Sequence, residues 1–210
     1  MLSKDNIRRI VCGAYRENAY LACPDGRDDA FLVDPGDDVQ LLQNALQESG
    51  RTLSAILLTH GHFDHILAAQ PLSERFGAPV YIHEGDAEML DAPDLSGWNA
   101  QVCRLAPPEE LPRTAYGETL RVAGVDLQVL STPGHSRGSV CLYEPLGGIL
   151  FRGDTLFEAG YGRTDLHGGS DDDMVASLRR LLTTLPEQTL VLSGHGGATT
   201  IGRERRRYRL

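Results

Sequence analysis

The chain of 210 residues has no apolar stretch approaching the ~20 residues needed to span a bilayer. Its first residues, Met1 to Arg9, lack the apolar core of a secretory signal. These absences lead to the expectation of a cytoplasmic protein with no membrane partner. Cysteine is sparse: Cys12, Cys23, Cys103 and Cys141 have no close pairing and read as reduced and mostly structural. Positive charge is also short, with a formal net charge of −9. Nucleic acid is thereby excluded as the main partner, because phosphate binding relies on a positive surface. The one basic run, Arg203, Arg205, Arg206, Arg207 and Arg209, reads as a solvated or locally paired tail.

What remains is ordinary for a globular chain, 41% hydrophobic and 23% charged, and one domain's worth of length. One segment is not ordinary. Thr59-His60-Gly61-His62-Phe63-Asp64-His65 packs three imidazoles and a carboxylate into a single loop. It follows the apolar run Leu53 to Leu58, which reads as a buried strand, and precedes a helical pattern. In extended chain, side chains at i and i+2 point the same way, so His60 and His62 suit one ion. Once the chain turns into the helix, Asp64 and His65 face a different point. The loop thus offers two pairs of ligands and suggests two metals.

Further ligands are expected at other strand ends. His135 follows the apolar strand Asp126 to Leu130, Asp154 follows Gly148 to Phe151, and His195 follows Thr189 to Leu192. Each is flanked by glycine, which permits close approach of the backbone. The set is assigned as His60, His62 and His135 on one metal and Asp64, His65 and His195 on the other, with Asp154 bridging. Imidazole and carboxylate without thiolate suit zinc, and also iron or manganese. A metal also requires supporting contacts behind its ligands, a role that suits Asp34. His83 and His167 read as structural or surface histidines.

The surrounding pattern alternates strands and helices. Tyr20 to Ala22, Ala30 to Val33 and Pro79 to His83 read as strands. A helix carries Val39, Leu42, Ala45 and Leu46 on one face and ends at Gly50. A second runs from about His65 to Phe76, and residues 84 to 91 look like a short one. Residues 92 to 115 read as a proline-rich irregular segment, either a rim beside a pocket or a surface connection. Strands follow over Thr119 to Val122, Asp126 to Leu130, Val140 to Tyr143 and Gly148 to Phe151. Ser170 then caps a helix whose buried stripe is Met174, Val175, Leu178, Leu181, Leu182 and Leu185. Two strand-rich halves with helices outside would form a sandwich with ligands from both halves at one edge.

Taken in order, Asp34 in VDPG, the His60–His65 loop, His135, Asp154 and His195 resemble the motifs of the metallo-β-lactamase superfamily over nearly the whole chain. The resemblance implies an α/β fold, a four-layer αββα sandwich, over residues 1–210. Within that superfamily, Gly153-Asp154-Thr155-Leu156-Phe157, Gly162-Arg163-Thr164-Asp165 and Gly194-His195-Gly196 are similar to the glyoxalase II (hydroxyacylglutathione hydrolase) type, in its short single-domain bacterial form. Typical glyoxalase II enzymes add a C-terminal helical domain with basic residues for the glutathione carboxylate. Residues 196–210 follow His195, too few for that domain, so a single-domain form without it is expected.

The implied activity is hydrolysis of S-lactoylglutathione, or a similar small-molecule acyl-thioester, by hydroxide held between two divalent ions. Asp64 would ligate and also orient the nucleophile or accept its proton, as the catalytic carboxylate. Arg163 is a candidate for a substrate carboxylate and Tyr161 for the pocket wall. A persulfide dioxygenase with a single iron, and a lactonase, are the alternatives of the same fold. Oligomeric state is left open.

Overall fold

A computed structural model of the chain describes residues 2–91 and 113–209 and arranges its apolar runs as two six-stranded sheets. The first runs in chain order: β1 (Ile7–Cys12), β2 (Glu17–Ala22), β3 (Asp29–Val33), β4 (Thr52–Leu57), β5 (Val80–Ile82) and β6 (Arg113–Ala115). β1 to β3 are antiparallel, and from β3 onward the pairing is parallel. Parallel neighbours need a crossover, which α1 (Val39–Ser49) and then α2 (Phe63–Ile66) with α3 (Ala69–Phe76) provide. The second sheet contains β7 (Thr119–Val122), β8 (Val125–Ser131), β9 (Val140–Glu144), β10 (Ile149–Phe151), β11 (Leu190–Leu192) and β12 (Thr199–Thr200). Only β10 and β11 pair in parallel there, joined through α5 (Asp171–Thr184), and α6 (Ile201–Arg207) follows β12.

Strand alternation sorts the core into layers. Phe31, Val33 and Leu57 face Leu127, Leu142 and Phe151 between the sheets, with the Phe31 and Phe151 rings edge-to-face at 6.1 Å. Their neighbours Leu32 and Ile56 point the other way and pack with Leu42, Leu46 and Leu72 of α1 and α3. On the far side Met174, Leu178, Leu181 and Leu182 of α5 cover Cys141, Leu150 and Val191. The result is the expected αββα sandwich.

Several local expectations need correction. The helix expected over His65–Phe76 divides into α2 and α3, because Pro71 is tolerated only in a first turn. At the break, the amides of Leu67 and Ala68 donate to the carbonyls of Gly36 and Pro35. Val175 is 56% exposed rather than part of the α5 stripe. The helix turns it roughly 100° from Met174, to the rim of the apolar face. Ser170 does cap α5, its hydroxyl accepting from the Asp173 amide at 3.3 Å. The end of the segment expected to be irregular, Arg113–Ala115, is strand β6, and its residues 92–112 lie outside the described ones. The Arg-rich tail forms helix α6 and is paired: Arg207 locally with Glu204, but Arg203 with the distant Glu158 and Arg205 with Glu187. No helix among the described residues is long and apolar enough to cross a membrane.

Candidate metal centre

Strand ends at one edge of the sandwich bring the candidate ligands together. Asp34 follows β3, the His60–His65 loop leads from β4 into α2, and His135 lies between β8 and β9. Asp154 follows β10 and His195 follows β11. Two groups form whose donor atoms lie within 4.8 Å of one another: His60, His62 and His135, and Asp64, His65 and His195. These are the two sets expected from the sequence. Asp154 stands against both, with Oδ2 3.6 Å from His135 Nε2 and 3.7 Å from His195 Nε2, and Oδ1 3.5 Å from His65 Nε2. A third cluster joins Asp34, His60 and His65, but the Asp34 oxygens already have protein partners.

Hydrogen bonds behind the rings fix their tautomers. The Thr59 amide and hydroxyl both donate to Asp34, each at 2.7 Å. The hydroxyl has only one proton, so at 3.0 Å from His60 Nδ1 it must accept, and Nδ1 carries the hydrogen. His65 Nδ1 donates to Asp34 Oδ2 at 3.1 Å, and His135 Nδ1 donates to the Arg163 carbonyl at 2.7 Å. In the neutral form of each of these rings the lone pair is therefore on Nε2, the form that binds a metal. His62 has no such anchor, and its Nδ1 lies 2.8 Å from His135 Nε2.

The donor set fits divalent cations on an observation internal to the protein. His60 Nε2, His62 Nε2, His65 Nε2 and Asp154 Oδ1 are buried without a hydrogen-bond partner. Buried polar atoms are rarely orphaned unless something else satisfies them. Electrostatics agree. Burial, reinforced by neighbouring imidazoles, holds His60 well below 6.5 and His62 down at about 3, so both rings stay neutral and able to donate. Burial opposes ionisation of Asp64 and Asp154, yet the histidines around them outweigh it and keep both carboxyls below the usual range. His65 is the exception: burial lowers it, but the carboxylates of Asp154, Asp34 and Asp64 raise it further, to about 9. Without an ion its ring is therefore cationic, and Nε2 must release a proton to ligate.

Glycines make this density possible at two points. A β-carbon on Gly153, whose φ is 50°, would stand 2.1 Å from Thr59 Oγ1. One on Gly194 would meet Asp154 Oδ1 at 2.4 Å and His65 Cε1 at 2.5 Å.

A cavity of about 620 Å³ opens beside the ligands, walled by Tyr15, Phe63, Phe157 and Leu166 and floored by Asp64, Asp154 and His195. The Tyr15 and Phe63 rings meet edge-on at 5.1 Å. Arg163 also lines it, its guanidinium forked onto Asp165 at 2.6 and 2.7 Å. Tyr161 is half exposed and stands outside that wall. His83 accepts from the Gly85 amide and His167 faces Glu88 at 3.0 Å, both away from the ligand groups.

Sequence reading passed over Asp86. It is fully buried after β5 and accepts from Gly61 N at 3.1 Å, Ser136 Oγ at 2.5 Å and Gly138 N at 2.6 Å. It clips the His60–His62 loop to the His135 loop. The strand-end rule that singled out Asp154 applies equally to Asp86, which sits just after the strand Pro79–His83. Asn18 and Tyr20 were missed as well: the Asn18 amide and the Tyr20 hydroxyl donate to the Ser193 carbonyl, at 2.9 and 2.7 Å, and hold the His195 turn.

Comparison with known proteins agrees with this geometry. An uncharacterized protein of Mycobacterium leprae is 41% identical over 209 residues, 95% of each chain. The probable metallo-hydrolase YqgX of Bacillus subtilis is 40% identical over 196 residues, 92% of each chain. The hydroxyacylglutathione hydrolase GloC of Haemophilus influenzae is 33% identical over 209 residues, 96% of this chain and 95% of that one. Among solved structures, the BLEG-1 B3 metallo-beta-lactamase matches with a TM-score of 0.87 at 38% identity, covering 95% and 96% of the two chains. TTHA1623 in a di-iron-bound form matches at 0.84 and 41% identity, covering 95% and 97%. ETHE1 from Myxococcus xanthus matches at 0.74 and 30%, covering 95% of this chain and 81% of that one. The metallo-beta-lactamase superfamily profile spans residues 12–195, from the end of β1 through the His195 turn. With its sandwich and its His/Asp cluster suited to divalent ions, the chain belongs to the metallo-beta-lactamase superfamily.

Proposed function

We propose that this superfamily hydrolase is a thioesterase of the hydroxyacylglutathione hydrolase type, acting on S-lactoylglutathione or a similar acyl-thioester. The observation that carries the reading is the pair of three-residue ligand groups meeting at Asp154, both beside one cavity with an apolar wall. Identity with GloC along nearly the full chain supports the same class. Two divalent ions at such a site supply an acidified water and a Lewis acid for the carbonyl oxygen.

The protein's own groups do the rest. Asp64 lines the cavity and is held ionised beside His195 at 3.3 Å. From there it accepts a hydrogen bond from the attacking water and aims its lone pair at the thioester carbon. Tyr15, Phe63, Phe157 and Leu166 take the apolar stem and exclude bulk water. Arg163 lines the cavity and would take a substrate carboxylate, which would compete with Asp165 for its fork. The departing thiol ionises near ~8.5, so no acid residue is needed opposite Asp64.

The test is one assay of metal-quantified protein against S-lactoylglutathione, glutathione persulfide with oxygen uptake, a homoserine lactone and a β-lactam. The last substrate is included because of the likeness to BLEG-1. Thioester turnover well above the others is expected. Two metals per chain with the thioester untouched would refute the proposal, and persulfide-dependent oxygen uptake on one iron would replace it with the dioxygenase.

A further inference from the structure

A smaller cavity of about 300 Å³ adjoins the main one and shares Tyr15 and His195 with it. Its remaining wall includes Arg9, Arg16, Asn18 and Gly196. Alternation along β1 sends Arg8 to Glu48, at 2.6 Å, and Arg9 to the other face, where Nη1 donates to the Gly196 carbonyl at 3.0 Å. Arg9 is thus tied to the residue next to His195, with the rest of its fork available. Arg16 ends the Gly13–Arg16 turn between β1 and β2, its amide bonded to the Gly13 carbonyl at 3.2 Å. Its φ is 55°, a left-handed conformation that is unfavourable for a residue with a β-carbon. Glycine or asparagine would suit the turn better, yet an arginine is there, on the wall of the cavity.

Charge completes the picture. Arg8, Arg163, Arg203 and Arg205 each pair with a carboxylate. Among the described residues neither Arg9 nor Arg16 forms an ion pair. The Asn18 amide is already donated to Ser193 and Gly196, so the cationic donors facing this cavity are the two arginines. On a chain of net charge −9, they make a local positive spot one residue from His195.

We propose that this cavity is a subsite for an anionic group, carboxylate or phosphate, on the thiol carrier of the thioester. The small acyl group stays beside Asp64, while the longer carrier passes His195 and Tyr15 to reach Arg9 and Arg16. The proposal rests on the thioesterase reading for its substrate, and the test separates the two.

Arg9→Gln and Arg16→Asn remove the charges, and asparagine relieves the turn. In the metal-loaded double variant, KM for S-lactoylglutathione should rise about tenfold with kcat within about twofold, and the difference should shrink at high salt. KM for the lactoyl thioester of N-acetylcysteamine, an uncharged carrier, should not move. An equal rise for both thioesters, or none for either, overturns the subsite. Independently, calorimetry with S-methylglutathione and S-methyl coenzyme A should show binding that the double variant loses. Whichever compound binds distinguishes carboxylate from phosphate, and binding of neither to the parent protein overturns the subsite. Arginine-dependent binding without cleavage of either thioester would leave the subsite standing and remove the thioesterase reading.

Discussion

Replacing Asp86 tests how the two ligand-bearing loops are held together. Its Oδ2 accepts from Gly61 N and Ser136 Oγ and its Oδ1 from Gly138 N, with no exposure to water. In Asp86→Ala both backbone donors lose a charged acceptor. Each buried orphan costs about 1–3 kcal/mol, and the void adds to that, so the loss should reach roughly 3–5 kcal/mol. That is a large part of a typical domain's stability. Asp86→Asn keeps one carbonyl oxygen but turns an amide toward another donor, so roughly 1–3 kcal/mol is expected. Neither variant touches a candidate ligand, yet affinity at the His60–His62–His135 group should fall about 10–100-fold, the usual effect of removing a ligand's support. The Asp64–His65–His195 group should be affected less. Urea unfolding of the metal-free protein and chelator competition for zinc measure the two effects. An alanine variant within about 0.5 kcal/mol of the parent, with both zinc affinities unchanged, would refute the clip.

Three further outcomes follow from the same geometry. Thr59→Val keeps the shape but strands the His60 Nδ1 hydrogen and takes from Asp34 Oδ2 one of its two donors, leaving that of His65; zinc affinity should drop about 10–100-fold and Thr59→Ser should restore it, whereas parental affinity in the valine variant would break the tautomer argument. Burial, with the Asp34 charge beside it, pushes the Glu17 carboxyl well above its ordinary 4.5, and neither of its oxygens has a hydrogen-bond partner. The native state then holds a proton that the unfolded chain has lost, so this contribution to stability falls as pH climbs from 4.5 through the folded value. Glu17→Gln removes that slope, and its gain over the parent in urea unfolding of metal-free protein should grow between about pH 5 and pH 8; a constant difference refutes it. Burial pushes the Cys12 thiol up to about 11 and raises Cys141 too, while Cys23 is only half-buried. Iodoacetamide at about pH 8 should therefore label Cys23 well before the other two by peptide mass spectrometry, and equal rates would contradict the buried placement.

The parts of this molecule that were legible in its sequence are those where one residue type has few reasons to occur. Histidine at i and i+2 after an apolar strand, and a lone Asp after a strand and a glycine, have little structural use, so the ligand groups could be assembled from the sequence. Apolar periodicity located β3, β4, α1 and α5 for the same reason: burial restricts the choice of residue. β1 and α6 were not legible because their sequences, IRRIVC and IGRERRR, are rich in arginine, most of whose partners are distant. Arg9 meets Gly196 and Arg203 meets Glu158 only after the chain has folded. The supports of the site share that property. Asp86 looks like any polar residue after a strand until Gly61 and Gly138 arrive at its carboxylate, and Tyr20 looks like core until its hydroxyl finds Ser193. Ligands are legible one at a time, because each must carry a donor atom. Supports are legible only as pairs, and the second member of each pair comes from the other sheet or from a crossover loop. Specificity belongs with the supports: Arg9 and Arg16 acquire meaning only from where His195 lies.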